Sequence, residues 1–521
     1  MPLPSGDQPW PPKPHVSILD TLATWSAWYE GTPDALRSVY ASKNVARIGD
    51  REGGIRQKLQ RWWWGRTIDE TKQRPDQSHV PIAADLARAS ADMLYVEPPQ
   101  ITCTAKAAQP VAGVTPKTNV TQDRVDAYLP DLHAALSNGA ELGAILGGRY
   151  HRVTWDKALD DQPFVTTVDA DAAIPEFRWG RLVAVTFWHE LETSKSGAVT
   201  RHLERHEFDA EGNGLILHGL YEGTSTSLGR ARPLDEHPVT APLTTLVDEN
   251  GALKEGRTKG LCVVYIPNQL PQRRWRKHPV GRNLGRSDLD GVEPLMDNLD
   301  EAYSSLMRDI RLGKGRIIVP AFMLKDNGPG MGATFDIDRE VYDPLNIPDP
   351  AEGQAQITIQ QFAIRVEEHL TAIADLVRRI VHTAGYSNAT FGDGTDEGGA
   401  ITATEVHARE RRTYRTRARK LRNEHAGITE LIRKMLSIDN AIFGTAGIDS
   451  DVDITVTFAD GVEDTQLNLA QTALALSTAR AASIETLVRT VNPDWDDTAV
   501  LDEVAKILNE EPVTDPFTIG G

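Results

Sequence analysis

Two segments decide the fold: residues 287–312, SDLDGVEPLMDNLDEAYSSLMRDIRL, and residues 359–384, IQQFAIRVEEHLTAIADLVRRIVHTA. In both, apolar residues recur every three or four positions, which predicts two amphipathic helices. The apolar positions are Leu289, Val292, Leu295, Met296, Leu299, Tyr303, Leu306 and Ile310, then Phe362, Val366, Leu370, Ile373, Val377, Ile380, Val381 and Ala384. The connection begins and ends with predicted strands, at 316–320 and 356–360. If these strands pair, the two helices lie antiparallel and side by side.

A loop and a long helix follow the second of these helices. Residues 386–400, YSNATFGDGTDEGGA, are too polar and too rich in glycine to pack in a core. From 403 to about 436 the pattern predicts one helix of over 30 residues with only a narrow apolar stripe. Such a helix is not expected at the centre of a globule. We expect it to cross a subunit interface or to line a cavity.

The rest of the chain mixes helices and strands. Residues 1–32 start with a Pro-rich arm that lacks the basic and apolar segments of a signal peptide. Between 149 and 266, short alternating runs separated by Gly, Asp and Pro predict a β-rich region. Further helices are predicted at about 33–41, 82–93, 125–138 (ending at Asn138-Gly139), 463–491 and 497–510, and a strand at 453–459. The predicted class is α+β.

Bulk composition excludes several classes of protein. The 521 residues carry a net charge of −18, which argues against a protein that coats DNA, because tight binding needs Lys and Arg on the phosphates. An acidic conduit through which DNA slides is still compatible with this charge, although charge alone favours the simpler interpretation that it keeps the protein soluble. The two cysteines, Cys103 and Cys262, exclude a disulfide scaffold and a Cys-rich zinc site. No run of about 18 apolar residues occurs, so no membrane span is expected.

Motifs for catalysis or metal binding are incomplete. Residues 251–258, GALKEGRT, have the glycine spacing of a phosphate loop, but Arg257 replaces its lysine and the flanks indicate a hairpin. His202 and His206 lie four apart in a segment that alternates like a strand, where a solvated face is the simpler interpretation. The acidic residues 393–397 lack the alternating ligands of a calcium loop. We therefore predict no enzyme: no catalytic residue, no metal site and no cofactor.

Two basic clusters stand out in this acidic chain. One contains Arg273 and Arg274, and the other, at 408–422, has eight cations and one acid. On a helix, Arg411, Arg415, Arg419 and Arg422 form one stripe. Both clusters could contact DNA phosphates or carboxylates of a neighbouring subunit, and we favour the subunit interface.

The order of these elements resembles the portal proteins of tailed, siphophage-type bacteriophages, in particular the actinobacteriophage and Bacillus-phage portal family. The phrases that carry the resemblance are HVPIAADLARASADMLYVEPPQI (79–101), GRSDLDGVEPLMDNLDEAYSSLMRDIRLGKGRIIVP (285–320), ITIQQFAIRVEEHLTAIADLVRRIVHTAGYSNATFG (357–392) and ITATEVHARERRTYRTRARKLR (401–422). They are diagnostic as a series rather than singly.

The resemblance implies a portal fold with a β-rich wing, a paired α-helical stem, a small α/β clip, a long wing helix and a helical C-terminal crown. The implied parts are an N-terminal arm (1–32), wing (33–286), first stem helix (287–312), clip (313–358), second stem helix (359–384), tunnel loop (385–402), long wing helix with a closing strand (403–460) and crown (461–521). In the tunnel loop, Asn388, Thr390, Asp393, Asp396 and Glu397 are the candidates to line a DNA channel.

The resemblance also implies partners and a location. It implies a ring, with twelve subunits expected, at one capsid vertex of the virion, assembled in the host cytoplasm. Double-stranded DNA would pass through the ring, and the large terminase subunit, a head-completion adaptor, and the major capsid and scaffolding proteins would bind it. The alternative is another capsid-associated component, either a minor structural protein or a head-completion protein.

Overall fold

The fold consists of helices and antiparallel strands. The computed structural model describes residues 3–4, 6–47, 78–104, 119–312, 316–318, 325–326, 333–334, 358–360, 365–392, 403–459, 466–492, 495 and 497–509. The helices are α1 Lys13–Glu30, α2 Pro33–Arg47, α3 Ile82–Tyr95, α4 Val120–Leu146, α5 Glu293–Leu312, α6 Val366–Ala384, α7 Ala403–Ile438, α8 Gln466–Thr478, α9 Ile484–Val491 and α10 Asp497–Asn509. The strands are β1 Gln100–Thr104, β2 Gly148–Thr154, β3 Phe164–Asp169, β4 Ala173–Arg178, β5 Arg181–Thr193, β6 Val199–Phe208, β7 Gly214–Thr224, β8 Ser227–Arg232, β9 Val263–Pro267, β10 Arg316–Ile318, β11 Lys325–Asp326, β12 Ala333–Thr334, β13 Thr358–Gln360 and β14 Asp453–Thr457.

The helix–strand–helix excursion predicted from the sequence is present. Strand β10 pairs antiparallel with β13, and α5 packs on α6. Both helices begin later than predicted. Helix α5 begins at Glu293, because the residues before it form turns around Gly291, whose φ is +91°. Helix α6 begins at Val366, because residues 358–360 belong to β13.

The predicted β-rich region contains two antiparallel sheets. One has five strands in the order β4-β5-β6-β7-β8, and the other has three in the order β3-β2-β9. Residues 6–10 extend the larger sheet at its β8 edge: the amide of Asp7 donates to Gly229 O at 2.7 Å, and the amide of Leu228 donates to Gln8 O at 2.9 Å. Trp10 is buried on this sheet against Leu228 and Trp188. The arm therefore covers an edge that would otherwise be unpaired.

The predicted arm, 1–32, is wrong in extent, because residues 13–30 form α1. Ile18, Leu22 and Trp25 lie on one face of this helix and are buried. Pro14, the second residue of the helix, obscured this pattern, although proline is well tolerated in the first turn since the first amides of a helix have no partner.

Helix α4 does not end at Asn138-Gly139 as predicted but continues to Leu146. A Cβ on Gly139 would lie 2.8 Å from Arg149 Cδ and 2.9 Å from His151 Cε1. This glycine therefore permits close packing of the helix on β2 and is not a C-terminal cap. The helix ends instead at Gly147, whose φ is +83°.

The prediction that α7 stays away from the centre of a globule is wrong for its C-terminal half. Ile428, Leu431, Ile432, Met435 and Leu436 are fully buried in the largest core, against α3, α4, β1 and β14. The predicted stripe looked narrow because the same face continues toward the N-terminus as charged residues that are also buried. The strand predicted at 453–459 is β14, which pairs with β1.

The C-terminal region has three helices where two were predicted. The predicted helix 463–491 is interrupted between α8 and α9, where Arg480 has a φ of +52° and Ser483 caps α9 by accepting from the amide of Thr486. Helix α8 packs on α9, and α9 packs on α10. Several apolar side chains of the three helices are exposed, among them Leu474, Leu501 and Leu508.

Candidate assembly site along the long helix

Helix α7 has one face of buried charged residues and an opposite face of exposed arginines. The buried residues are Arg417, Lys420, Glu424 and Lys434. Burying a charge is costly unless it is paired and hydrogen-bonded, so each must have partners from other elements. These partners show what holds α7 in place.

Lys420 and Asp288 form the centre of the first buried cluster. Lys420 Nζ donates to Asp288 Oδ2 at 2.6 Å, to Ser90 Oγ at 2.6 Å and to Tyr386 Oη at 3.0 Å, so all three of its protons are used. The Tyr386 hydroxyl donates to the same Asp288 oxygen at 2.5 Å. The other Asp288 oxygen accepts from the side-chain amides of Asn268 and Gln269, as the distances of 2.9 Å and 2.7 Å show.

Burial governs the proton affinities in this cluster. It lowers the pKa of Lys420, while the negative charge of Asp288 acts in the opposite direction. Burial also raises the pKa of Tyr386 well above its ordinary value. Lys420 is 1% exposed and Ser90 is fully buried, so this Ser–Lys contact has no access for a substrate. The cluster joins α7 to α3, to the segment before α5 and to the end of α6.

Arg149 and Glu424 form the second buried cluster. Arg149 donates to both oxygens of the Glu424 carboxylate, from Nη1 at 3.0 Å and from Nη2 at 2.7 Å. Tyr95 Oη donates to Glu424 Oε2 at 2.6 Å. Arg149 Nε also donates to His151 Nε2 at 2.8 Å, and burial together with the Arg149 charge lowers the pKa of His151 well below its usual range. His151 is therefore neutral and accepts this hydrogen bond.

Two further cations of α7 bind backbone carbonyls. Arg417 donates to the carbonyls of Met93 and Ala459. Lys434 Nζ donates to the carbonyls of Thr258 and Gly260 at 3.0 Å and 2.8 Å. Together with the two clusters, these contacts fasten α7 to the β-rich region and to the base of the α5–α6 pair. The sequence contained a signal for them, since the buried face of residues 428–435 continues at heptad spacing through 424, 420 and 417.

The opposite face of α7 carries the predicted arginine stripe. Arg411, Arg415, Arg419 and Arg422 are all exposed, and among the residues that the structure describes none of them forms an ion pair. Arg412, beside the stripe, contacts His382 Nε2 of α6 at 2.8 Å. The face therefore presents four exposed guanidinium groups that have no carboxylate partner among the residues that the structure describes.

The first basic cluster lies close to this stripe. Arg273 is paired with Asp290, with Nε 2.7 Å from Oδ2, and Arg274 is paired with Glu293 at 2.7 Å. Both side chains remain substantially exposed, at 55% and 40%. Their intrachain partners account for their positions, and a contact with another molecule stays a prediction. Burial and the charges of Arg273 and Arg419 lower the pKa of Arg286, so the two clusters are neighbours.

The structure describes the beginning of the predicted tunnel loop. Asn388 and Thr390 lie in a short 3-10 helix, residues 388–391, directly after α6. Thr390 Oγ1 lies 2.9 Å from Thr413 Oγ1 of α7, and Asn388 Oδ1 is buried and has no hydrogen-bond partner among the residues that the structure describes. The other three candidates, Asp393, Asp396 and Glu397, lie outside the described residues.

The incomplete phosphate-loop motif and the His202/His206 pair both lie in the β-rich region. Residues 248–252 form a turn between bridging residues Val247 and Leu253, and no helix follows it, as expected for a hairpin. His202 and His206 lie on strand β6 as expected, but the expected solvated face is wrong, since His206 is 1% exposed. His202 stacks on His218 with Nε2 3.2 Å from Nδ1, and His206 contacts Glu204 at 2.7 Å. No cluster of three metal-binding side chains occurs within the described part of the chain.

Comparison with known proteins gives one family. The model of the family described as "Phage portal protein, SPP1 Gp6-like" matches residues 15–512. A search of curated proteins gives no match. Within the ranges that the structure describes, no helix is both long and apolar enough to span a membrane. The match covers nearly the whole chain, including every helix and strand described above except the first two residues of α1. The chain belongs to the SPP1 Gp6-like family of tailed-phage portal proteins, structural components of the capsid that serve DNA packaging.

Proposed function

We propose that this chain is the subunit of a ring at one capsid vertex, and that double-stranded DNA enters and leaves the capsid through the ring. Family membership supports a ring-forming oligomer that works with the packaging machinery. The observation that carries the proposal is the incompletely buried α5–α6 pair. At the end of the pair that leads into β10 and β13, three apolar side chains are exposed: Ile310 at 44%, Val366 at 39% and Leu370 at 52%. Apolar residues on such a helix pair are buried when copies of the pair stand side by side in a closed ring.

The parts of the chain take the roles that the family resemblance implies. Residues 33–286 form the wing, α5 and α6 the stem, the segment between them the clip, 385–402 the tunnel loop and 461–521 the crown. The clip docks the large terminase subunit and the head-completion adaptor, while the wing faces the major capsid and scaffolding proteins. Twelve copies form the ring in the host cytoplasm before DNA enters. The acidic tunnel-loop residues face the DNA and repel its phosphates.

The arginine stripe of α7 contacts a neighbouring subunit in this proposal. The four guanidinium groups are exposed and unpaired within the described chain, and the net charge of −18 means that an adjacent copy offers many carboxylates. A stripe that bound DNA phosphates would give a conduit high affinity for its cargo and would slow its passage. Subunit contacts use the same charges without this effect.

The experiment that tests the ring is a mass measurement of the purified full chain, combined with negative-stain imaging. We expect closed rings of about twelve subunits. A chain that stays monomeric at every salt concentration and protein concentration tested contradicts the proposal. The Arg415→Glu, Arg419→Glu variant tests the stripe, and we expect fewer rings at a given concentration. Unchanged assembly together with weaker DNA binding in a filter assay would assign the stripe to DNA.

A further inference from the structure

The turn between β4 and β5 has an unusual residue in a strained position. Arg178 and Arg181 pair at the ends of the two strands, so the turn consists of Trp179 and Gly180 alone. Both residues have positive φ, +53° and +80°. Two-residue turns of this kind favour Asn-Gly, because side chains with a Cβ rarely adopt the left-handed conformation. A bulky tryptophan is poorly suited to the position.

The Trp179 side chain has little contact with the described part of its own chain. It is 96% exposed, the highest value among the large apolar side chains that the structure describes. A Cβ added to Gly180 would have no atom within 4 Å, so the turn projects into open space. Strained residues that do not stabilise their own fold are found where contact with another molecule depends on them. Tryptophan is also among the residues that contribute most to binding at interfaces.

The charges beside the indole are positive. Arg178 and Arg181 are both exposed, and within the described chain neither forms an ion pair. Arg181 is near enough to α7 for its charge to act on Glu430. The tip is thus an apolar ring between two guanidinium groups. A matching surface would have an apolar spot surrounded by carboxylates.

The loop between β2 and β3 has these properties. Leu159 is 76% exposed in the sequence Asp156-Lys157-Ala158-Leu159-Asp160-Asp161. The amides of Leu159 and Asp160 both donate to Asp156 O at 3.0 Å, which fixes the loop as a single helical turn. Arg124 Nη2 donates to Asp161 O at 2.7 Å, and its Nε donates to Asp439 at 2.6 Å. The loop is therefore ordered before anything binds to it.

The charge of this loop is opposite to that of the hairpin tip. Asp156, Asp160 and Asp161 flank Leu159 in the sequence, and among the described residues none of the three is in an ion pair. Lys157 is the one cation within the loop, so carboxylates outnumber it. Within the described residues neither surface has its charges in an ion pair, and the hairpin tip is basic where the loop is acidic.

We propose that the Trp179 tip of one copy docks on the Leu159 loop of the adjacent copy. The inference rests on the ring proposed above. A cyclic ring with more than two subunits needs head-to-tail contacts, in which two different surfaces of the chain meet. The tip and the loop are two such surfaces: each has an exposed apolar side chain, and their charges are opposite. The indole covers Leu159, and the two arginines pair with the loop carboxylates.

A cysteine pair tests the contact directly. The chain has two cysteines, Cys103 and Cys262. Both are buried, so we expect few disulfides between copies to form from the natural cysteines. In assembled rings of the Trp179→Cys, Leu159→Cys double variant, mild oxidation should give a ladder of covalent oligomers on a non-reducing gel. Each single variant should stay at monomer mass and serves as the control. Rings of the double variant that also stay at monomer mass overturn the proposal.

Assembly measurements test how much the contact between the Trp179 tip and the Leu159 loop contributes to the stability of the ring. Trp179→Asn suits the turn better than the natural residue, so the subunit should fold, yet the concentration for half-assembly should rise on the order of thirtyfold. Trp179→Phe should retain most of the assembly. The Arg178→Asp, Arg181→Asp double variant should need a higher concentration for half-assembly. Adding Asp160→Arg and Asp161→Arg to this variant restores opposite charges across the contact and should restore assembly.

The outcomes separate this inference from the proposed function. If the unaltered chain forms no rings, the proposed function fails. If it forms rings and Trp179→Asn forms them equally well, the ring stands and the tip contact is overturned. If Trp179→Asn rings assemble normally but fail to enter capsids, the tip binds a different protein, which also overturns the contact between copies.

Discussion

At the scale of single residues, the buried pair Lys420–Asp288 is the most consequential interaction. Replacing Lys420 with Met leaves the Asp288 carboxylate buried, with Tyr386 and two amides but no cation. Removing one partner of a buried ion pair costs about 3–5 kcal/mol. We expect the free energy of unfolding to fall by that amount, as measured by urea denaturation. The adjacent exposed residue is the control, since Arg419→Met should change it by less than about 0.5 kcal/mol. Equal effects of the two variants would contradict the assigned pairing.

His218 gives the fold a dependence on pH. Burial lowers the pKa of His218 to about 4, against 6.5 in an unfolded chain, with Glu204 opposing the shift and His202, His206 and Arg152 contributing to it. Between these values the unfolded chain binds a proton that the folded chain does not. The contribution of neutral His218 to the free energy of unfolding is therefore fully present above pH 6.5. It is lost as the pH falls toward 4, by on the order of 3 kcal/mol. His218→Gln should reduce this loss in urea titrations at several pH values, and a slope identical to that of the parent would exclude His218 as its source.

At the scale of elements, Gly139 tests why α4 continues past the predicted end. Alanine normally stabilises the interior of a helix relative to glycine by about 0.5–1 kcal/mol. Here the added Cβ would lie 2.8 Å from Arg149 Cδ, so we expect Gly139→Ala to destabilise the chain by about 1–3 kcal/mol in thermal or urea unfolding. Asn138→Ala, on the exposed side of the same turn, is the control and should be neutral or slightly stabilising. A gain in stability from Gly139→Ala would mean that the helix does not pack on β2 at this position.

Periodicity predicted the elements whose apolar face is continuous. Helices α5 and α6, the strand pair β10–β13, the β-rich region and β14 follow from patterns that lie within one segment. Periodicity failed where packing between distant segments determines the bounds of an element. In the sequence Gly139 indicates the end of a helix, and only its contacts with Arg149 and His151 show that the helix continues. The same limitation applied to α7. Lys420 and Glu424 look solvent-exposed in the sequence, because their partners Asp288 and Arg149 lie 132 and 275 positions away. The exposed arginines of the same helix were predicted correctly as a stripe, since spacing alone determines that.

At the scale of the whole molecule, the described chain leaves apolar surface that its own fold does not cover. Val366 and Leu370 lie near the N-terminus of α6 and are 39% and 52% exposed. If copies of the α5–α6 pair pack side by side, Val366→Asn with Leu370→Asn should reduce ring formation in mass photometry while leaving the thermal unfolding of the monomer within about 0.5 kcal/mol of the parent. Val239→Asn is the control, because Val239 is 61% exposed on a connection outside the stem. It should alter neither measurement. Rings that persist in the double variant at the concentrations at which the parent forms them would show that the stem is not a contact between copies.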